Sequence, residues 1–261
     1  MTAAAKPSYR SALGNLVLKD FRVRYRNMSL GILWSILNPL VMMGVLVLVF
    51  SVVYSNQTVR YFPVFMLIGL LAYNFFSLNL SSMTGCIVDN ASILKKLYFP
   101  RHLLPLSILI SNSLHLLIQL GLLVVLLLIL GVPWTRSFLW YPLTWVVLMC
   151  YSFGAGLWSA VLCVLYRDTL YLVQSLLSVF FWLTPIVYPL EKVRDSTPGW
   201  LYRIYLLNPI AGIIDAGRNA ILYGRSPDPV AFGIACGTTL VVLLSGMLFF
   251  RHYQFRLSDR I

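Results

Sequence analysis

Arg22, Arg24 and Arg26 alternate along one short stretch near the start of the chain. A guanidinium offers a planar fork of N–H donors that matches a phosphate two oxygens at a time, so these side chains are candidates to receive the phosphate of a lipid. Further along, uncharged polar residues recur at helical spacing. Asn74, Ser77, Ser81 and Thr84 form one stripe, Ser107, Ser111, His115 and Gln119 a second, and Tyr171, Gln174, Ser175, Ser178 and Trp182 a third. Ser152, Gly156, Ser159 and Cys163 make a seam of small residues. Any single stripe is explained by close helix packing, and His115 by a satisfied interior histidine. Taken together, amides, hydroxyls and aromatic rings suit a wall for a sugar chain, whose ring faces stack and whose hydroxyls hydrogen-bond without a charge to neutralise.

Other chemistries have no residues to carry them. The sequence has no GxxxxGK[ST], HExxH or GxSxG pattern, so neither ATP binding nor hydrolysis is assigned to it. All eight acids fall in expected loops or at helix ends, which disfavours an ion-coupled carrier or stand-alone channel. A membrane-bound glycan enzyme would need acid–base or metal residues clustered at the membrane surface, and none cluster. The four cysteines lack a CxxC pair and read as small hydrophobes. No catalytic residue, metal ligand or resident cofactor is expected.

The elements that must position these stripes are membrane helices. The 261 residues are 59% hydrophobic and 11% charged, with mean hydropathy +0.82; a soluble domain carries about 25% charged residues. An all-α polytopic membrane protein follows, with one transmembrane domain and no room for a soluble one. Apolar runs place six spans at 31–54, 62–83, 103–131, 138–166, 170–189 and 230–250. Most of the 20 basic residues, among them Lys19, Arg22, Lys95, Lys96, Arg101 and Arg251, then fall on one side, so both termini are expected in the cytoplasm. The net charge of +12 belongs to those loops near anionic lipid, and no nucleic-acid partner is expected. Residues 1–10 lack the apolar core of a cleaved signal peptide.

Three further segments stand out. Residues 11–27 predict an amphipathic interface helix with Leu13, Leu16, Val17, Phe21, Val23 and Tyr25 on one face. Asp20 and Arg24 break that face but sit four apart, where they can pair. Residues 89–100 predict a short cytoplasmic helix, capped by Asp89 or Asn90 and limited by Pro100. Its Ile93, Leu94 and Leu97, with Lys95 and Lys96 nearby, suit docking on another protein or a membrane-interface turn. The long outer loop has Asn208-Pro209 as a helix start and Gly224 as a stop. A helix there is too short to cross a bilayer and reads as a re-entrant element, either a gate or a structural lid.

The stretch Leu18-Lys19-Asp20-Phe21-Arg22-Val23-Arg24-Tyr25-Arg26, with Leu30-Gly31-Ile32-Leu33-Trp34 and Asn38-Pro39-Leu40, resembles the opening of ABC-2 type permeases that export polysaccharides. So do Ile93-Leu94-Lys95-Lys96-Leu97-Tyr98-Phe99-Pro100-Arg101 with Leu104-Pro105, and Tyr166-Arg167-Asp168 followed by Phe181-Trp182-Leu183-Thr184-Pro185-Ile186-Val187-Tyr188-Pro189 and Leu207-Asn208-Pro209. The blocks keep their order over nearly the whole chain. The family includes O-antigen, teichoic-acid and capsule exporters.

The resemblance implies a homodimer of six-helix subunits in the bacterial inner (plasma) membrane, joined to two copies of a separate ATP-binding cassette subunit that holds ATP and magnesium. It implies coupling to that subunit through Asn90, Ile93, Leu94, Lys95, Lys96, Leu97 and Tyr98, and short outer gate helices within 198–224. It also implies a path lined by the first and fifth spans, with Trp34, Tyr54, Phe181, Trp182 and Tyr188 as wall or gate aromatics. Export of a lipid-linked polysaccharide is the function expected, and export of a small drug-like or lipid substrate the alternative.

Overall fold

The computed structural model describes residues 9–26, 28–53, 61–91 and 100–254, and among them every regular element is helical. Helix α1 spans Tyr9–Tyr25. A 3-10 turn, Gly31–Leu33, leads into α2, Trp34–Val47, which continues as π-helix over Leu48–Val53. Helices α3 (Phe62–Asp89), α4 (Leu103–Ile129) and α5 (Trp140–Leu165) follow, the last entered through a 3-10 turn at Arg136–Leu139. Then come α6 (Thr169–Leu183), the short helices α7 (Leu190–Ser196), α8 (Gly199–Leu206) and α9 (Pro209–Ile221), and finally α10 (Pro229–Tyr253).

Among the described residues five helical runs are long and apolar enough to cross a bilayer: Gly31–Ser51, Phe62–Asp89, Leu103–Ile129, Arg136–Leu165 and Pro229–Tyr253. The expected continuous span at 170–189 is a correction. Its helix stops at Leu183 after 15 residues, about 22 Å of rise against the roughly 30 Å of a hydrocarbon core. Pro185 explains the stop. A proline forces the preceding residue out of the helical region, and Thr184 is extended with ψ 139°. Residues 184–189 then run irregularly, yet Thr184, Ile186 and Val187 are buried.

Irregular backbone inside an apolar bundle needs partners for its carbonyls. Arg218 of α9 supplies them. Its guanidinium donates to Pro185 O at 2.6 Å, Ile186 O at 2.5 Å, Tyr188 O at 3.3 Å and Phe65 O at 3.1 Å. The group is 2% exposed, lies 3.4 Å from the centroid of the Phe65 ring, and meets the backbone where Gly69 leaves room for it. A guanidinium keeps its charge in a protein interior, so all its N–H groups remain donors. Asn208 completes the corner: its Oδ1 caps α9 by accepting from Ile210 N at 3.1 Å, and its Nδ2 donates to Thr184 Oγ1 at 3.1 Å.

Helix α3 is the axis of the fold, touching α2, α4, α5, α6 and α9. Its first turns meet α9 through Phe65, and its last residue precedes Asn90, which meets α1. The two ends of the molecule are therefore the α9 end and the α1 end. Helices α5 and α10 form the most extensive pair, and small residues set their approach. A Cβ on Gly246 would come within 2.4 Å of Gly154 O, and one on Gly154 within 2.6 Å of Leu243 Cα. Gly156, from the expected seam, instead admits Met83 of α3.

Two outcomes follow for the purified protein in detergent. Arg218→Met leaves three or four buried carbonyls unpaired and costs at least about 3 kcal/mol in thermal unfolding, while Arg225→Met on the exposed loop changes stability by no more than about 0.5 kcal/mol. Gly246→Val separates α5 from α10, and the yield of monodisperse protein in size-exclusion chromatography collapses; unchanged yield would contradict the backbone contact.

Candidate functional site

Helix α1 is held to α4 by its polar residues. Asp20 accepts a 3.1 Å hydrogen bond from Ser107, Arg24 donates to Asn112 Oδ1, and the Tyr25 hydroxyl lies 2.6 Å from His115 Nδ1 and 2.8 Å from Ser35 Oγ. Asp20 and Arg24, which interrupt the apolar face on a helical wheel, are thus the seam that docks this helix. Partial burial raises the Asp20 pKa and lowers that of Arg24. Of the expected apolar face, Val17 is buried whereas Val23 is 59% exposed.

The seam runs on into the bundle. Asn112 Nδ2 donates to Asn79 Oδ1 at 3.0 Å, and Asn79 Nδ2 donates to Phe75 O at 2.8 Å, both amides being fully buried. Gln119 Nε2 donates to Ser35 O at 3.2 Å. That carbonyl is the one Pro39 would otherwise have paired in α2, because a proline removes the bond to the residue four before it. Much of the second polar stripe is therefore structural: Ser107 and His115 seat α1, and Gln119 repairs α2.

The first and third stripes are placed differently. Ser77 and Ser81 of α3 face a cavity of about 460 Å³ with Tyr73, Met42 of α2, and Gln174, Ser178, Phe181 and Trp182 of α6. The same two serines border a second cavity of about 390 Å³, lined also by Arg24, Asn38, Asn74, His115 and Gln119. The two share these serines and form a groove of mixed polar and apolar lining midway along α3. No carboxylate lines it among the described residues, and Arg24 supplies the cationic side chain. Its aromatic side is ordered: Phe181 packs edge-on to Tyr73 at 5.2 Å and to Trp182 at 5.3 Å, and the Tyr73 hydroxyl donates to Leu177 O. Helix α6 buries Val173 and Leu177 and leaves Tyr171, Gln174, Ser178 and Trp182 exposed beside the groove.

Phe181 and Trp182 thus join the polar stripes. Tyr188 does not; its hydroxyl lies 3.2 Å from that of Tyr205, in an apolar cavity of about 770 Å³ beneath α7 and α8 that also takes in Phe180, Leu183, Lys192 and Leu201. Trp34, 45% exposed, begins α2. The three arginines also part: Arg22 and Arg26 are exposed, while Arg24 turns inward. Asn90 accepts a 2.7 Å bond from Lys19 and donates to Cys86 O at 2.8 Å. Ile93, Leu94, Lys95, Lys96, Leu97, Tyr98 and Tyr54 lie outside the described residues. Sequence reasoning missed Ser35, Asn79, Asn112 and the role of Arg218. The signal for Ser35 was Pro39 four residues on; for Arg218 it was an arginine among Ile213, Ile214 and Ile221 in a segment otherwise apolar.

Comparison with known proteins places this architecture. A family model described as "ABC-2 type transporter" matches residues 12–222, from α1 through the end of α9. The O-antigen export system permease protein RfbA of Myxococcus xanthus is 29% identical over 253 residues, covering 97% of this chain and 96% of the relative. A protein of the same name from Klebsiella pneumoniae is 28% identical over 242 residues, covering 92% and 91%. The polysialic acid transport protein KpsM of Escherichia coli is 27% identical over 242 residues, covering 90% and 91%. With a family match that spans the docked α1, the groove and the α9 corner, this multi-pass membrane protein belongs to the ABC-2 type transporter family.

Proposed function

We propose that this chain is the membrane subunit of an ATP-driven exporter that moves a lipid-linked polysaccharide, of O-antigen, teichoic-acid or capsule type, out of the bacterial cytoplasm across the inner membrane. The observation that carries this reading is the groove between α2, α3 and α6. Amides, hydroxyls and aromatic faces line it, and Arg24 is its lone cation among the described residues. A neutral sugar chain can stack and hydrogen-bond on such a wall. Relatives similar over most of the chain are named as an O-antigen export system permease protein and a polysialic acid transport protein, which supports a polysaccharide substrate.

On this reading the subunit hydrolyses nothing. A homodimer of the chain brings two grooves together and works with two copies of an ATP-binding cassette subunit, where ATP and magnesium act. Asn90 begins the segment that receives the push of that subunit, and Lys19 links it to α1. Both termini and α1 lie on the cytoplasmic side. Helix α6 together with residues 184–189 serves as the sixth crossing, and α7 to α9 cover the outer mouth as gate helices. A second reading, export of a small apolar substrate, draws on the cavity beneath α7 and α8, whose walls are mostly hydrocarbon and tyrosine.

Expression with the ATPase encoded beside it, followed by purification through this chain, tests the reading. The two proteins co-purify, and lipid-linked glycan raises ATP hydrolysis while hydrophobic drugs do not. Stimulation by drugs alone would favour the second reading, and transport by this chain without any ATPase would overturn both. Trp182→Ala lowers export roughly three- to tenfold, the size of one lost aromatic face worth about 1 kcal/mol, and the complex still assembles.

A further inference from the structure

Arg24 is the one guanidinium of the α1 trio that enters the bundle, and the bundle is built to keep it there. Through Asn112 it connects to Asn79, which lies ten residues before the α1 end of α3, about 15 Å along the helix. A cation turned into an apolar bundle is costly unless it is used, and ionisable groups so placed mark ligand paths. One terminal nitrogen is fixed through Asn112, Asn79 and the Phe75 carbonyl. Arg24 also lines a cavity of about 390 Å³, and a guanidinium has five N–H donors, more than its bond to Asn112 uses. Asp20, the nearest acid on α1, is turned aside to Ser107 and does not line it. The rest of the lining offers neutral hydrogen-bonding groups, including Asn38, Asn74, Ser77 and Ser81.

From this arrangement, and resting on the exporter reading, we propose that the cavity is the seat of the lipid-borne phosphate or diphosphate of the substrate. Arg24 pairs the phosphate, and Asn38, Asn74 and the two serines hydrogen-bond the first sugar. The serines are shared with the larger cavity beside Phe181 and Trp182, so a phosphate on Arg24 leaves the glycan in line with the aromatic wall. Arg22 and Arg26, both exposed, take no part in the seat.

The test uses the full complex of this chain with its ATPase, in nanodiscs of zwitterionic lipid. Farnesyl diphosphate, inorganic pyrophosphate and farnesol are titrated, and binding is read by microscale thermophoresis. The intact complex binds farnesyl diphosphate better than either of the others. Arg24→Gln weakens this roughly tenfold or more, as expected for a lost charge-assisted fork, and Arg24→Lys weakens it less. Arg22→Gln and Arg26→Gln stay within about twofold, the small effect expected of exposed charges. Asn38→Asp leaves the Arg24 bond to Asn112 untouched and places a like charge beside the incoming phosphate, so it weakens farnesyl diphosphate and not farnesol.

Equal binding by the Arg24→Gln complex, or an equal loss in Arg22→Gln and Arg26→Gln, overturns the assignment of Arg24. Pyrophosphate binding as tightly as farnesyl diphosphate overturns the lipid assignment in favour of a free-anion site. If glycolipid still stimulates ATP hydrolysis in either case, the exporter reading survives alone. If the intact complex neither binds farnesyl diphosphate nor responds to glycolipid, both fall.

Discussion

A helix broken inside an apolar bundle leaves carbonyls with no water to turn to, and this fold depends on how those carbonyls are satisfied. The break at Pro185 frees the backbone of residues 185–188, and a single buried guanidinium collects it. A neutral amide could serve two acceptors at most; arginine's fork serves four here and adds contact with the Phe65 ring. The arrangement ties α3, the end of α6 and α9 into one corner. Without it, residues 184–187 could not be both irregular and buried, and α9 would lose its reason to lie against α3. A smaller case repeats the principle at the other end, where Gln119 takes the Ser35 carbonyl that Pro39 leaves open in α2.

These repairs divide the polar residues of the bundle into two kinds. Some are consumed by structure: Gln119 on α2, His115 and Ser107 on α1, and Asn79 and Asn112 on each other. Others spend at most a bond on their own helix and keep hydrogen-bonding capacity for the groove; Ser178 bonds Gln174 O, one turn back, and still lines the cavity. Both kinds obey the same preference for small and hydroxyl residues at helix contacts, so helical spacing cannot separate them. The difference lies in what stands opposite, and that is set by residues 30 to 90 positions away.

The membrane class, the α1 helix and the Asn208-Pro209 start of α9 were legible because each rests on local chemistry: hydropathy, an amphipathic pattern and a capping pair. The helix expected over 170–189 ends early although the segment is uncharged and largely apolar to its end, because Pro185 breaks the helix. Hydropathy reports transfer to lipid and says nothing of backbone pairing, so a buried irregular segment scores like a helix. Asp20 and Arg24 were misread for the opposite reason. They look like faults on a helix judged against lipid, and they become its docking residues once Ser107 and Asn112 stand across from them. Of the candidate site, the stripes on α3 and α6 and the pair Phe181–Trp182 could be found in sequence; their meeting in one groove could not.

The separation of charge from glycan wall has a physical logic on the exporter reading. A chain that slides must be held by contacts strong enough to dehydrate it and weak enough to release it at each step, a condition met by many modest sites in series. Amide, hydroxyl and aromatic contacts of about 1 kcal/mol each satisfy it; a row of guanidiniums along the path would not, since each charge-assisted bond is roughly twice as strong. A single deep cation near the entrance is compatible with sliding only if it engages a part of the substrate that passes once. For a glycan of neutral repeats the lipid-borne phosphate is such a part, whereas the sugars recur. The placement of Arg24 at one end of the groove, with neutral groups and aromatic rings beyond it, is therefore the arrangement that allows both firm loading and free passage of one substrate.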